Sequence, residues 1–303
     1  MDVINFREFI DTLANEVIIG KAIPREADIN ILVLGLEGHG KSNFAILSAY
    51  ELHKQLEKQL YVFQPFRNIT FTEFDFMSVA NLRKQIIVFD EAGAVMNTFG
   101  GRRKDSIYCL LTLLLGRVNQ NIYFYCVPHF RWLDPYLREH RTICWILVDR
   151  DHAYLYTGIE KIHEILNHDW ANIYQIPQKI EPDAIIEEIP FCGKVNPQLW
   201  ATYKQVKILM KDILFLCHTL NIDIATLLCM LKIPKHIKDW RLSNDYFTPE
   251  KTKRIKAIIN TNPTVGEKLN MFYHNKQIRE LLELKFGINL QVKEVVEYPF
   301  TVF

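Results

Sequence analysis

The spacing of apolar positions separates short buried strands from one-faced helices along the first half of the chain. Residues 3–17 place Val3, Phe6, Phe9, Ile10 and Leu13 at helical intervals. Ile29 to Leu34 is a β-branched apolar run that stops at Gly35, the pattern of a buried strand entering a loop. Helical spacing returns from Lys41 to about Leu60, with Phe44, Leu47, Tyr50 and Leu56 on one face. Leu60 to Phe63 and Ile69 to Phe76 read as strands, the second alternating as an edge or hairpin strand does, and Ser78 reads as the cap of a short helix through Arg83. Ile86 to Phe89 is another buried strand and ends on Asp90-Glu91. A helix is predicted from Ser106 to Arg117, then a strand over Ile122 to Val127 that ends at Pro128-His129. A short helix near Leu133–Arg138 precedes a hairpin of Ile143–Val148 and Ala153–Tyr156 around Asp149-Arg150-Asp151.

Strands that alternate with helices predict an α/β fold, with a mainly parallel sheet flanked by helices. The pattern changes after residue 170. Ile176 to Pro190 holds three prolines and several acids without a clean period, and residues 196–303 are mostly helical, broken at Pro234, Pro249 and Pro263. The expected organisation is an α/β domain over 1–165, a linker or wrapping arm over 166–195, and a smaller helical C-terminal domain over 196–303.

Composition permits a large core. Of 303 residues, 49% are apolar and 23% charged, and the net charge of +1 gives no global pull toward nucleic acid. Residues 1–170 hold 18 Lys+Arg against 21 Asp+Glu, and the remainder hold 18 against 14. That excess suits either a nucleic-acid contact in the C-terminal half or an ordinary solvated surface. None of the six cysteines forms a C-x-x-C pair, and most sit in apolar runs, as in a reducing compartment. The start of the chain does not read as a signal peptide, and the longest apolar run, Ile107 to Leu115, is too short to span a bilayer. A soluble protein with no membrane span is expected in the cytoplasm, or the host cytoplasm for a viral protein.

The candidate chemistry begins at Gly35-Leu36-Glu37-Gly38-His39-Gly40-Lys41-Ser42, which matches G-x-x-x-x-G-K-[ST] between a predicted strand and a predicted helix. Glycines let successive N–H groups point inward at phosphate, and the helix behind them adds its positive end. The residues expected around the nucleotide are Gly35, Glu37, Gly38, His39, Gly40, Lys41, Ser42 and Asn43. Lys41 would reach the β- and γ-phosphates and Ser42 would ligate Mg²⁺. Asp90, at the end of a neighbouring strand, would hold the Mg²⁺ shell, and Glu91 directly after it would activate water. That Glu, and the absence of an Asn-Lys-x-Asp guanine motif, favour ATP hydrolysis over phosphorylation of a small molecule or GTP binding. Zinc spacing is absent: His163 and His168 are five apart, not the four of a helical pair.

From Ile86-Ile87-Val88-Phe89-Asp90-Glu91-Ala92-Gly93 through a helix ending at Gly116-Arg117, then Ile122 to His129 and Trp132 to Arg138, the order resembles the HerA–FtsK superfamily of P-loop ATPases. Compact viral or plasmid DNA-packaging and translocation members look closest, with the zonula-occludens-toxin-like branch as a further relative. The resemblance covers roughly residues 28–150. It implies a P-loop NTPase fold, ATP with Mg²⁺, a homo-oligomeric ring, commonly a hexamer, and double-stranded DNA through its centre. It implies a sensor at the position of His129, where the family mostly has Gln, and an arginine supplied in trans, for which Arg117, Arg138 and Arg141 are candidates. The basic loop at Arg102, Arg103 and Lys104 suits phosphate-backbone contact or plain solvation. Residues 222–242 fit a helix-turn-helix with Lys235, Lys238 and Arg241 outward, or an ordinary helix pair. The alternatives to a DNA motor are a nucleotide-dependent assembly or secretion switch without DNA, and an AAA+-type initiator or regulator ATPase with a DNA-binding C-terminal domain.

Overall fold

The computed structural model describes residues 2–3, 5–95, 112–114, 116–128, 132–150, 152–157, 187–190, 196–232, 248–288 and 290. They fall into two compact units, Met1–Tyr203 and Lys204–Phe303. The division lies inside a helix, where no shift in composition marks it.

The first unit is built on one sheet of strands β1 (Asp2–Val3), β2 (Ile29–Leu34), β3 (Ile69–Thr70), β4 (Ile86–Phe89), β5 (Ile122–Val127), β6 (Thr142–Asp149), β7 (His152–Thr157) and β8 (Glu187–Pro190). Their order is β1-β8-β7-β6-β2-β5-β4-β3. The run β6-β2-β5-β4-β3 is parallel throughout, as expected, and β7 joins it antiparallel to β6 as the predicted hairpin. Every residue of β2, β4 and β5 is buried, which is why these strands appear as unbroken apolar runs rather than alternating ones.

Successive side chains of β2 enter opposite cores. Ile29, Ile31 and Val33 pack with Phe9 of α1 (Phe6–Thr12) and with Phe44 and Ile46 of α2 (Lys41–Gln55). Leu32 and Leu34 pack on the other face with Phe76 and Val79, and with Leu133 and Leu137. Helices therefore cover both faces, and the C-terminal ends of the parallel strands open along one edge.

The structure departs from the sequence reading in several places. The strand expected over Ile69–Phe76 stops at Thr70; α3 (Pro65–Asn68) precedes it, and α4 (Glu73–Ala80) follows. Thr72 and Asp75 form a capping box, with Asp75 Oδ1 accepting from Thr72 N at 2.6 Å, so local side-chain bonding overrides the alternation. Ser78 lies inside that helix and donates to Asp75 O rather than capping. Over 60–63 the chain makes only an isolated bridge, Val62 to Gln85. α2 ends at Gln55, short of Leu60, which takes a left-handed φ of 65°. The expected linker over 166–195 contributes β8, paired with both β7 and β1.

The second unit is helical, as expected: the remainder of α6 (Pro197–Leu220), then α7 (Ile224–Lys232), α8 (Pro249–Thr261), α9 (Pro263–His274) and α10 (Lys276–Phe286); the short α5 (Ala92–Val95) belongs to the first unit. Pro249 and Pro263 do not break helices but start them, behind the caps Thr248 and Asn262, where a missing N–H costs nothing. Ile213, Leu216, Leu227, Ile255, Leu269, Phe272 and Leu282 form its buried side. α7 is the first helix of the proposed helix-turn-helix; residues 233–247, with Lys235, Lys238 and Arg241, lie outside the described residues. Cys144 and Cys217 are buried thiols whose pKa burial pushes up to about 12. Among the described residues no single helix is long and apolar enough to cross a membrane.

Candidate nucleotide site

The phosphate loop leaves β2 and runs into α2. At Gly35, φ is 150° and a Cβ would stand 2.4 Å from the backbone oxygen of Val148 in β6, so no side chain fits. Gly38 and Gly40 take φ of 83° and 93°, where L-residues are strained, and Gly40 caps α2. Lys41 Nζ folds back to donate to Leu36 O at 2.8 Å, across the loop it belongs to. Glu37 and Gly38 are exposed; His39, Gly40, Lys41, Ser42 and Asn43 are half-buried. His39 Nδ1 stands 3.0 Å from Asp149 Oδ1 at the tip of β6, a charge pair only when the ring is protonated.

β4 delivers Asp90 to the same edge. Its side chain is 1% exposed, and Ser42 Oγ donates to Asp90 Oδ1 at 2.7 Å, joining two motifs 48 residues apart. Glu91 follows, exposed, with a left-handed φ of 59°. That conformation is uncommon outside glycine and gathers at functional sites. β5 lies between β2 and β4, so its end, Val127-Pro128, emerges between the phosphate loop and the acidic pair. His129 is the next residue and lies outside the described residues.

A residue that sequence reasoning missed completes the cluster. Tyr203 OH donates to Asp90 Oδ2 at 2.7 Å. Burial first, then the charge of Asp90, raises its pKa well above the usual phenol range, so it remains a donor. Trp200 and Tyr203 lie in the stretch read only as mostly helical, and nothing in their spacing points to a carboxylate 113 residues away.

The residues fit a magnesium–nucleotide complex. Gly35 lets the loop leave β2 hard against the backbone of β6, α2 presents its N-terminus, and Ser42 and Asp90 offer the hard oxygen donors that Mg²⁺ takes in small number from protein. Among the described residues there is no group of three His, Cys, Asp or Glu side chains placed to hold a metal by themselves.

The expected arginines sit elsewhere. Arg117 precedes β5, is exposed, and its Nη2 is 3.5 Å from Tyr136 OH. Arg138 lies in the short π-helix Leu137–Arg141 before β6, and its side chain is outside the described residues. Both are at the N-terminal edge of the sheet, opposite the phosphate loop of their own chain. Arg141 is a correction. Its Nη2 donates to both oxygens of Asp28 at 2.8 Å, and the pair is buried, so this guanidinium is not available to a neighbour. Arg102, Arg103 and Lys104 lie outside the described residues.

The phosphate loop, the helix behind it and an acidic strand two places along a parallel sheet define the P-loop NTPase fold. No protein-family model matches the sequence, and no curated protein matches it. Among solved structures, the N-terminal domain of zonular occludens toxin from Neisseria meningitidis is similar at 10% identity and a TM-score of 0.35, over 58% of this chain and 98% of that one. ORC1 of Aeropyrum pernix, solved in complex with DNA, is similar at 13% identity and 0.34, over 88% and 85%. A DNA polymerase III gamma subunit-related protein from Thermotoga maritima is similar at 12% identity and 0.31, over 92% and 94%. At these scores the likeness carries no functional information.

Proposed function

We propose that the chain is a Mg²⁺-dependent ATPase that works as a homo-oligomeric, six-membered motor on double-stranded DNA. The observation that carries the ATPase reading is the Ser42–Asp90 hydrogen bond, which brings the phosphate loop and the acidic strand into one cluster at the open edge of the sheet. The loop N–H groups and Lys41 bind the phosphates, and Ser42 and Asp90 hold the metal shell. Mg²⁺, when bound, supplies charge that offsets the charge developing on the phosphoryl oxygens. Glu91, beside Asp90 and exposed, takes the proton from the attacking water. Arg117 and Arg138 precede strands at the far edge, which suits service to a neighbouring subunit rather than to their own site.

For DNA, Lys204, Lys207 and Lys211 are exposed at helical spacing on α6, and Lys253, Arg254 and Lys256 are exposed on α8. With Arg102, Arg103, Lys104, Lys235, Lys238 and Arg241 they supply the cations that phosphate contact needs. ATP turnover measured with and without duplex DNA tests both halves. The expected result is hydrolysis that DNA stimulates and that salt suppresses, reduced about a hundredfold or more by Lys41→Ala. Hydrolysis indifferent to DNA would favour the assembly or secretion switch instead, and a site-specific footprint would favour the initiator-type regulator.

A further inference from the structure

We propose that Tyr203 is a positioning residue that fixes the Asp90 carboxylate for the cation, an inference that rests on the nucleotide reading above. Asp90 is held at both oxygens by different hydroxyls: Oδ1 accepts from Ser42 and Oδ2 from Tyr203, each at 2.7 Å. Two bonds from two elements set the direction of the carboxylate plane, which one bond alone would leave to rotate.

The two hydroxyls are not equivalent. Ser42 belongs to the phosphate loop, and it can turn a lone pair to a cation while its one proton stays on Asp90. Tyr203 stands on a different element and holds the second oxygen, so the carboxylate stays oriented while the Ser42 side chain shifts to meet the cation.

Its own position is rigid. Tyr203 is 4% exposed, and its ring is stacked on Trp200 at 4.9 Å between centroids and on Phe71 at 6.2 Å. Phe71 directly follows β3, the strand beside β4. The phenol is thus gripped by the segment next to the strand that ends in Asp90 and by the first turns of α6. Second-sphere bonds of this kind set ligand orientation, and losing one typically costs ten- to a hundredfold in metal affinity.

The test is a titration of a fluorescent ATP analogue against wild type, Tyr203→Phe and Trp200→Phe, with Mg²⁺ varied and again in EDTA. Tyr203→Phe keeps the ring and removes only the hydroxyl. It should leave metal-free binding unchanged and raise the Mg²⁺ concentration needed for half-maximal binding about tenfold. Trp200→Phe, which keeps an aromatic ring against Tyr203 and spares the hydroxyl, should leave that midpoint near wild type. An unchanged Mg²⁺ midpoint in Tyr203→Phe would overturn the inference. So would an equal loss with and without metal, or the same shift in Trp200→Phe, because each marks general packing. A wild type that binds no nucleotide would instead remove the function on which the inference stands.

Discussion

The two ends of the parallel sheet treat a buried acid in different ways. At the N-terminal end Asp28 faces the guanidinium of Arg141, with Nη2 2.8 Å from each oxygen. At the C-terminal end Asp90 is at least as buried and takes hydrogen bonds from the hydroxyls of Ser42 and Tyr203. A guanidinium is a fixed cation, and here its Nη2 alone spans both oxygens of the carboxylate. A hydroxyl is a neutral donor that can turn. The first arrangement closes the protein; the second can be re-sorted around a cation. Only the second end leaves its acid to neutral donors, which suits the cation proposed for it.

The closed end carries a cost. Burial, the largest influence on Asp28, raises its pKa above 3.8 despite the opposing pull of Arg141. The folded chain then holds that proton more readily than the unfolded one, so this site contributes less stability as pH rises through the window above 3.8. The pair is therefore read as a device for registering β2 against β6 rather than as a net source of stability. The largest stability effect should come from breaking it on one side. Asp28→Ala leaves Arg141 buried and uncompensated and should cost about 3–5 kcal/mol in denaturant unfolding, most of it recovered in Asp28→Leu/Arg141→Met. Asp90→Asn should cost less, about 1–2 kcal/mol, because neutral donors can reorient, and yet it should remove Mg²⁺-dependent nucleotide binding. If Asp90→Asn destabilised as much as Asp28→Ala, the contrast between the two ends would fail.

How far the sequence revealed this contrast depends on the range of the interactions. β2, β4 and β5 were legible because strands buried on both faces must be apolar throughout, and the phosphate loop because its glycines and Lys41 are contiguous. Asp90 was legible because it follows such a strand directly. Arg141 was misread as a candidate for trans service because its partner, Asp28, lies 113 residues earlier. Tyr203 was missed for the same reason. The helix α4 was hidden by local chemistry: Thr72 and Asp75 cap each other inside a run that alternates like a strand. Asp75 also accepts from Phe71 N at 3.0 Å, so this cap sits beside the residue that stacks on Tyr203. Thr72→Ala is the smallest of the expected effects, a loss of about 1 kcal/mol in unfolding free energy with little change in nucleotide affinity.

The central claim is that the open end of the sheet hydrolyses ATP, with Glu91 as the base beside Asp90. The most direct measurement is the turnover of Glu91→Gln set against its affinity for ATP in Mg²⁺. Turnover should fall at least about a hundredfold while affinity stays near wild type, since general-base catalysis contributes on that scale and Glu91 holds neither phosphate nor metal. A Glu91→Gln protein that hydrolyses ATP at the wild-type rate would contradict the account.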